Sequence, residues 1–180
     1  LRSMKRARYT STADGHFGLA MKYYCHFTSP IRRYPDLQIH RIIKDNLHGK
    51  LDRKRKEHYY SIVDSIAESS SRLERRAEEA EREVHKLKKA QYMSDHIGEQ
   101  FDGVISGVTG WGIYVELPDT IEGMVRLEDM TDDTYYFDEP SYKVIGRKKR
   151  KEYTLGQHVT IKVLRADLDT RTIDFLLVED

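Results

Sequence analysis

The chain has 180 residues, 34% of them charged, with a net charge of +1 and a mean hydropathy of −0.72. That length holds one or two small domains, and no apolar run approaches the roughly 20 residues of a membrane-spanning helix. The lone Cys25 excludes an intramolecular disulfide; with no secretory leader in view, a reducing, cytoplasmic location is the expectation.

The sequence opens on Leu1 rather than Met, and residues 1–7 read as the tail of a helix already under way, as in a piece of a longer protein. Charge is polarised along the chain. Basic residues outnumber acidic ones 21 to 13 over residues 1–97, whereas over 98–180 the ratio is 10 to 17. A basic half suits a polyanion, although a solvated helical face gives the same count. Much of the acidic excess lies between Glu128 and Glu139, a segment that reads as a solvated loop.

Residues 16–28 alternate loosely and carry Phe17, Tyr23, Tyr24 and Phe27, which predicts a strand. Next comes His26-Phe27-Thr28-Ser29-Pro30-Ile31-Arg32-Arg33-Tyr34, with two adjacent arginines after a Ser-Pro corner. Proline suits the first turn of a helix, so Pro30 is expected there. A helix start carries spare N–H donors and partial positive charge, and arginine adds a planar fork for phosphate oxygens. The pattern is the arginine side of a site for a phosphodiester. No paired carboxylates precede it to hold a catalytic metal, and Asp14 and Asp36 are isolated.

Leu37, Ile39, Ile42, Ile43 and Leu47 recur at helical spacing until His48-Gly49, and Lys50 to Lys56 reads as a charged connector. From about Tyr59 to His96 a second helical pattern places Ile62, Ile66, Leu73, Ala77, Ala80, Val84 and Leu87 on one stripe. Ser69-Ser70-Ser71 interrupts it, and Ser71 with Glu74 has capping-box spacing, so one helix is expected to end and another to begin there. The second would run about 26 residues, on the order of 39 Å. Packing against a core and a coiled coil both fit its narrow stripe.

Gly98 begins a different texture. Five short β-like runs cover Gln100 to Ser106, Gly112 to Leu117, Glu122 to Arg126, Gln157 to Leu164 and Thr172 to Val178. Turns at Thr109-Gly110, Pro118-Asp119 and Asp167-Leu168-Asp169 separate them. Five strands in roughly 80 residues point to a small closed or nearly closed barrel, with a domain boundary near Ile97-Gly98. Trp111 and Tyr114 flank Gly112, so two rings can reach one surface as stacking platforms for unpaired bases, or roof the barrel core. The run Arg147-Lys148-Lys149-Arg150-Lys151 is either a solvated hairpin tip or a candidate phosphate-tracking loop.

The order Gly103-Val104-Ile105, Gly110-Trp111-Gly112-Ile113-Tyr114-Val115, Glu122-Gly123-Met124-Val125-Arg126, Leu155-Gly156, Val159, Lys162-Val163-Leu164 and Asp167 resembles the S1-type RNA-binding domain, an oligonucleotide-binding (OB-fold) barrel. The resemblance covers residues 98–179. It implies RNA contacts from Trp111, Tyr114, Arg126, Asp167 and Arg171, with Trp, Tyr and Arg replacing the family's usual Phe, Phe and His. Asp167 also has a plain local reading, bracing Arg171 or closing its own turn.

With that barrel downstream, Gly15-His16-Phe17-Gly18-Leu19-Ala20, Tyr24 and His26 through Leu37, then His40-Arg41, closely resemble the end of the catalytic (RNB) domain of the ribonuclease II family. The run Glu74 to Val84 is similar to the ribonuclease R branch of that family. The expected architecture is α+β: residues 1–97 as a mostly helical C-terminal portion of the RNB domain, then a five-stranded barrel over 98–180. The resemblance implies a processive 3′-to-5′ exoribonuclease acting on single-stranded RNA with Mg²⁺, whose metal-holding aspartates lie upstream of residue 1. It places Arg32 beside the scissile phosphate as the catalytic arginine, and Arg33, Arg41 and Glu81 near the RNA. A helix-anchoring ion pair is the other reading of Arg33 and of Arg41, and a solvated helical carboxylate that of Glu81. His16 and His26 are expected to be packed in the strand and Cys25 in the core. No metal site and no membrane contact are expected of the chain itself, and self-association through apolar surface of residues 1–97 is. A stand-alone RNA-binding adaptor, or a long helix serving as an oligomerisation rod, remain the rival classes.

Overall fold

The computed structural model describes residues 8–178; the helix tail expected over residues 1–7 lies outside them. The chain divides into two compact units, Leu1–Ala80 and Glu81–Asp180. In chain order the elements are α1 (Tyr34–Leu47), α2 (Arg53–Ser94), β1 (Gln100–Thr109), β2 (Gly112–Glu116), β3 (Glu122–Arg126), β4 (Tyr135–Asp138), β5 (Lys143–Gly146), β6 (Glu152–Tyr153), β7 (His158–Asp167) and β8 (Thr172–Leu177).

In the first unit the strand expected over 16–28 does not form. The segment holds a 3₁₀ turn, Phe17–Leu19, and one isolated bridge between His16 and Met21. Gly15 (φ 73°) and Ala20 (φ 51°) are left-handed, which breaks the extended backbone a strand needs. His16 therefore caps the turn by accepting the Leu19 N–H at 3.1 Å, and Cys25 is exposed rather than in a core. His26 is half-buried and shares a 3.0 Å hydrogen bond with the Tyr9 hydroxyl.

Helix α1 starts at Tyr34, and Pro35 rather than Pro30 occupies its first turn. Pro30 instead lies in a tight turn whose Arg32 and Arg33 N–H groups both donate to the Ser29 carbonyl, at 3.3 and 3.0 Å. Helix α2 opens within the expected connector, because the Asp52 carboxylate accepts the Arg55 N–H at 2.7 Å and caps it. Asp45 of α1 accepts from Arg55 (2.7 Å) and from the Tyr59 hydroxyl (2.6 Å) of α2. These two bonds hold its carboxyl below the usual carboxylate range, against the opposing effect of burial.

Helix α2 does not break at the serines. It is continuous over 42 residues, and the Ser71 hydroxyl donates to the Ala67 carbonyl one turn back at 2.9 Å. A serine that bonds within the helix needs no new N-terminus to satisfy it, so the capping box is not used. Ser71 also accepts the Tyr9 N–H at 2.9 Å.

In the second unit the five expected runs are the five strands of a closed barrel, in the order β1-β2-β3-β8-β7 with β7 returning to β1. All contacts are antiparallel except β3 with β8, which meet in parallel at Met124 and Asp174. Period-two alternation sends Ile113, Val115, Val125, Ile161, Val163, Ile173 and Phe175 inward, and a bulge in β1 between Ile105 and Gly107 lets both Ile105 and Val108 join them, all buried. Ala90 and Met93, from the last turns of α2, belong to the same core and are fully buried. Lys89 fastens this helix end to the β2–β3 turn by donating to the Thr120 carbonyl at 2.5 Å. The barrel domain thus draws on residues before the boundary expected at Ile97-Gly98.

The acidic stretch 128–139 is not a solvated loop. It holds a 3₁₀ turn, Leu127–Asp129, and β4, which begins a three-stranded sheet β4-β5-β6. Asp133 organises this sheet. Its carboxylate accepts the backbone N–H groups of Thr134 (2.6 Å), Lys148 (2.8 Å) and Lys149 (2.7 Å). A Cβ at Gly146 would stand 2.6 Å from an Asp133 oxygen, so only glycine admits this approach.

Three outcomes are expected from these contacts. Met93→Ala removes a fully buried side chain and should cost about 2–5 kcal/mol in urea unfolding of the barrel. A chain beginning at Gly98 should unfold at lower urea than one beginning at Glu81, because it lacks Ala90 and Met93. For Asp133, burial opposes ionisation, but the three N–H donors outweigh it and hold the carboxyl below its ordinary 3.8. A depressed folded pKa means that its contribution is complete above the unfolded value and is lost as pH falls through the folded one. Thermal unfolding of the wild-type chain should therefore lose stability below about pH 4, and Asp133→Asn should flatten that part of the profile.

Candidate functional site

Strands β2, β3, β8 and β7 place Tyr114, Met124, Asp174 and Arg165 in one row across the outer face of the barrel, through the pairs Tyr114–Met124, Met124–Asp174 and Arg165–Asp174. Tyr114 covers Gly107 of β1, where a Cβ would meet its ring at 3.3 Å. Trp111, in the β1–β2 turn, is 72% exposed, so it does not roof the core. The turn brings it close because a Cβ at Gly112 would stand 2.2 Å from the Val125 carbonyl oxygen. Trp111, Met124, Arg126, Leu127 and Glu128 line a recess of about 270 Å³.

Asp174, 3% exposed, ties the basic groups of this face together. Arg126 donates to both of its oxygens at 3.4 Å, and Arg165 donates to one of them through Nε (3.1 Å) and a terminal nitrogen (2.5 Å). Neither Arg165 nor Asp174 is among the residues expected from sequence. Strict alternation after Ile161 and Val163 would turn Arg165 inward, but β7 carries a bulge between Val163 and Arg165 that turns it out. An arginine where a core residue is due was the available signal.

The other two barrel candidates lie elsewhere. Asp167 closes its own turn, accepting the N–H groups of Thr170 (3.0 Å) and Asp169 (2.9 Å), which hold its carboxyl below the usual range. Arg171 pairs with Glu83 near the end of α2. Glu83 in turn is held below the usual range by Lys86 and Arg171.

Arg147, Lys148, Lys149, Arg150 and Lys151 form the exposed connection between β5 and β6. Its backbone is anchored by Asp133, its Lys149 side chain by Asp132 at 3.3 Å. Arg147 lies 5.8 Å from the Tyr136 ring and Lys151 5.4 Å from that of Tyr153. The tip is an ordered cationic turn beside aromatic rings.

In the first unit the arginine turn separates its two guanidiniums. Arg33 donates to the buried Asp36 through Nε (3.2 Å) and a terminal nitrogen (2.7 Å), which is the ion-pair reading of this residue. Arg32 is exposed, and its side chain has no hydrogen bond or ion pair among the described residues. Arg41 lies against Tyr34 and Gln38, at 3.4 Å from each oxygen. Glu81 is a solvated helical carboxylate, 75% exposed and 3.9 Å from His85. A larger recess, about 440 Å³, lies between segment 8–11 and α2 and contains none of these arginines. Among the described residues no group of three or more His, Cys, Asp or Glu side chains is placed to hold a metal ion.

Two domain models match the sequence: RNB domain over residues 1–49 and S1 RNA binding domain over residues 94–177. Ribonuclease R 1 of Lactococcus lactis is 46% identical over 175 residues, which is 97% of this chain and 21% of that protein. Ribonuclease R of Thermotoga maritima is 45% identical over 183 residues, covering 100% of this chain and 26% of that one. Among solved structures, Mycoplasma genitalium RNase R in complex with ribose methylated single-stranded RNA superposes with a TM-score of 0.87 at 28% identity. That match covers 99% of this chain and 28% of the other. The chain thus spans between a fifth and about a quarter of the length of these curated relatives.

Proposed function

We propose that this chain, which belongs to the ribonuclease R family and joins RNB to S1, supplies the RNA-binding barrel and the phosphate-contacting arginine of a processive 3′-to-5′ exoribonuclease acting on single-stranded RNA. The observation that carries the reading is the outer face of the barrel. An exposed Trp111 and a Tyr114 ring stand beside two guanidiniums held by one buried carboxylate. Rings stack on bases of any sequence, and guanidiniums neutralise phosphates without reading bases, so the face suits unpaired RNA with little sequence preference. The ordered cationic turn Arg147 to Lys151 adds a second place for a phosphate to rest.

Arg32, exposed and without a side-chain hydrogen bond or ion pair among the described residues, is the group that would stabilise negative charge building at the scissile phosphorus. The Mg²⁺ implied by the family has no fitting site among the described residues, since no cluster of carboxylate, His or Cys ligands is formed. Its aspartate ligands would come from parts of the enzyme outside these 180 residues. The reading therefore makes the isolated chain an RNA binder that does not cut. A stand-alone, non-catalytic adaptor is the alternative, and cleavage assays on the intact protein separate the two. No helix among the described residues is long and apolar enough to cross a membrane, and a cytoplasmic enzyme is the proposed setting.

Equilibrium binding of labelled single-stranded RNA tests the face. Trp111→Ala with Tyr114→Ala should lower affinity uniformly across sequences, each ring contributing about 1–3 kcal/mol. Arg126→Ala should instead reduce the salt dependence, by a slope of about 0.7 for one lost phosphate contact. Unchanged affinity in the double aromatic variant would sink the assignment. With Mg²⁺ present, the wild-type chain should leave the RNA at full length.

The first unit leaves Phe17, Ile31, Leu47 and Tyr60 largely exposed, and self-association through such apolar surface belongs to the same proposal. Sedimentation should show mass rising with concentration; a strictly monomeric profile at high concentration would count against it.

A further inference from the structure

We propose that Asp36 is a positioning residue: through Arg33 and Ser29 it sets where the Arg32 guanidinium stands against the phosphate, an inference that rests on the reading of Arg32 above. Asp36 is fully buried in the first turn of α1, yet its bonds do not serve the helix start. One oxygen, Oδ2, takes the Ser29 N–H at 2.8 Å and both Arg33 contacts, at 3.2 and 2.7 Å. The other oxygen, Oδ1, is buried with no hydrogen-bond partner among the described residues.

An N-terminal carboxylate that only capped the helix would reach its free N–H groups. Asp36 reaches back to Ser29, four residues before the N-cap Arg33. Burying a carboxylate with one oxygen unmatched is a poor way to gain stability, because a buried ion pair contributes little net and an unmet acceptor opposes it. What the arrangement does secure is geometry. The Ser29 carbonyl accepts the N–H groups of Arg32 and Arg33, while the Ser29 N–H is held by Asp36. Arg32 is thereby fixed at its own N–H, at the residue that follows it and at the root of its turn. Phe27, just upstream, is tied to the same helix: its carbonyl accepts from His40 Nε2 at 2.8 Å, and the two rings stack 4.2 Å apart. The adjacent arginines thus divide the work, Arg33 turned inward to hold and Arg32 turned outward to act.

The test uses the full-length enzyme that contains this chain, with single-turnover cleavage of a labelled single-stranded RNA in Mg²⁺ and equilibrium RNA binding measured alongside. Arg32→Ala should slow cleavage by about 10²–10³. Asp36→Asn, which keeps an acceptor for Ser29 but removes the charge that grips Arg33, should slow it by about 10²-fold, as a misplacement near 1 Å does, with RNA affinity unchanged. Arg33→Lys, which keeps the charge but not the two-bond grip, should fall between Asp36→Asn and wild type. The double variant Arg32→Ala/Asp36→Asn should be no slower than Arg32→Ala alone, because both changes act on one group. If Asp36→Asn slows cleavage as much in the Arg32→Ala background as in wild type, Asp36 is merely structural and the inference fails. If Arg32→Ala is slow while Asp36→Asn and Arg33→Lys cleave normally, the inference fails and the reading of Arg32 stands. Wild-type cleavage by Arg32→Ala overturns the reading of Arg32, and the inference with it. Should Asp36→Asn not fold, Arg33→Lys alone and in the Arg32→Ala background gives the same comparison.

Discussion

A five-stranded barrel closes only if every strand offers one apolar face to the centre, and in this chain that constraint decides what the outer surface can be. Once Ile113 and Val115, Val125, Ile173 and Phe175 point inward, Tyr114, Met124 and Asp174 must point outward, and strand pairing lines them up in a row. The β7 bulge then adds Arg165 to the end of that row. The same core takes Met93 and Ala90 from the helix before it, and Tyr135, Val144 and Tyr153 from the small sheet, so the five strands do not fill it alone. Outer chemistry is a consequence of inner packing, because alternation leaves a strand residue only two directions.

Two buried carboxylates, Asp174 and Asp36, each hold arginine in a fixed place. Asp174 engages both oxygens and joins guanidiniums from two strands, which keeps two cations close despite their repulsion. Asp36 engages one oxygen and joins a helix to the turn before it. In neither place is the ion pair an efficient source of stability, since desolvation offsets most of the attraction. Both are better understood as devices of direction: a guanidinium gripped at two nitrogens cannot turn freely. Between them they leave Arg32 exposed and set Arg126 and Arg165 side by side at the barrel surface.

The barrel strands were legible because each is a short run of alternating apolar residues bounded by Gly, Asp or Pro, and those signals are local. The α+β architecture followed, and with it the likeness to S1 and RNB segments that the relatives bear out. The failures are equally instructive. Residues 16–28 have strand composition, but left-handed Gly15 and Ala20 deny them an extended backbone, and Cys25 ends exposed. The three serines of α2 look like a break until Ser71 is seen bonding its own helix and the Tyr9 backbone. The acidic stretch around Asp133 looks solvated because its partners, the N–H groups of Lys148 and Lys149, come 15 and 16 residues later.

The sequence by itself determined the number and order of the barrel strands and the aromatic and basic character of their outer face, and it marked the Ser-Pro-Ile-Arg-Arg corner with its two adjacent guanidiniums. Only the tertiary structure decided which arginine is held and which is exposed, that Arg165 joins Arg126 on Asp174, and that Arg171 turns to Glu83 instead. It also decided that the end of α2 belongs to the barrel core. Periodicity and turn chemistry are settled among residues a few positions apart, so they can be read directly from the chain. The partner of a charge is settled by what folding brings beside it: Asp174 lies 48 residues from Arg126, and Glu83 lies 88 from Arg171. Nothing in the local pattern of either arginine distinguishes those choices: the first is made where β3 meets β8, the second where the β7–β8 turn meets α2.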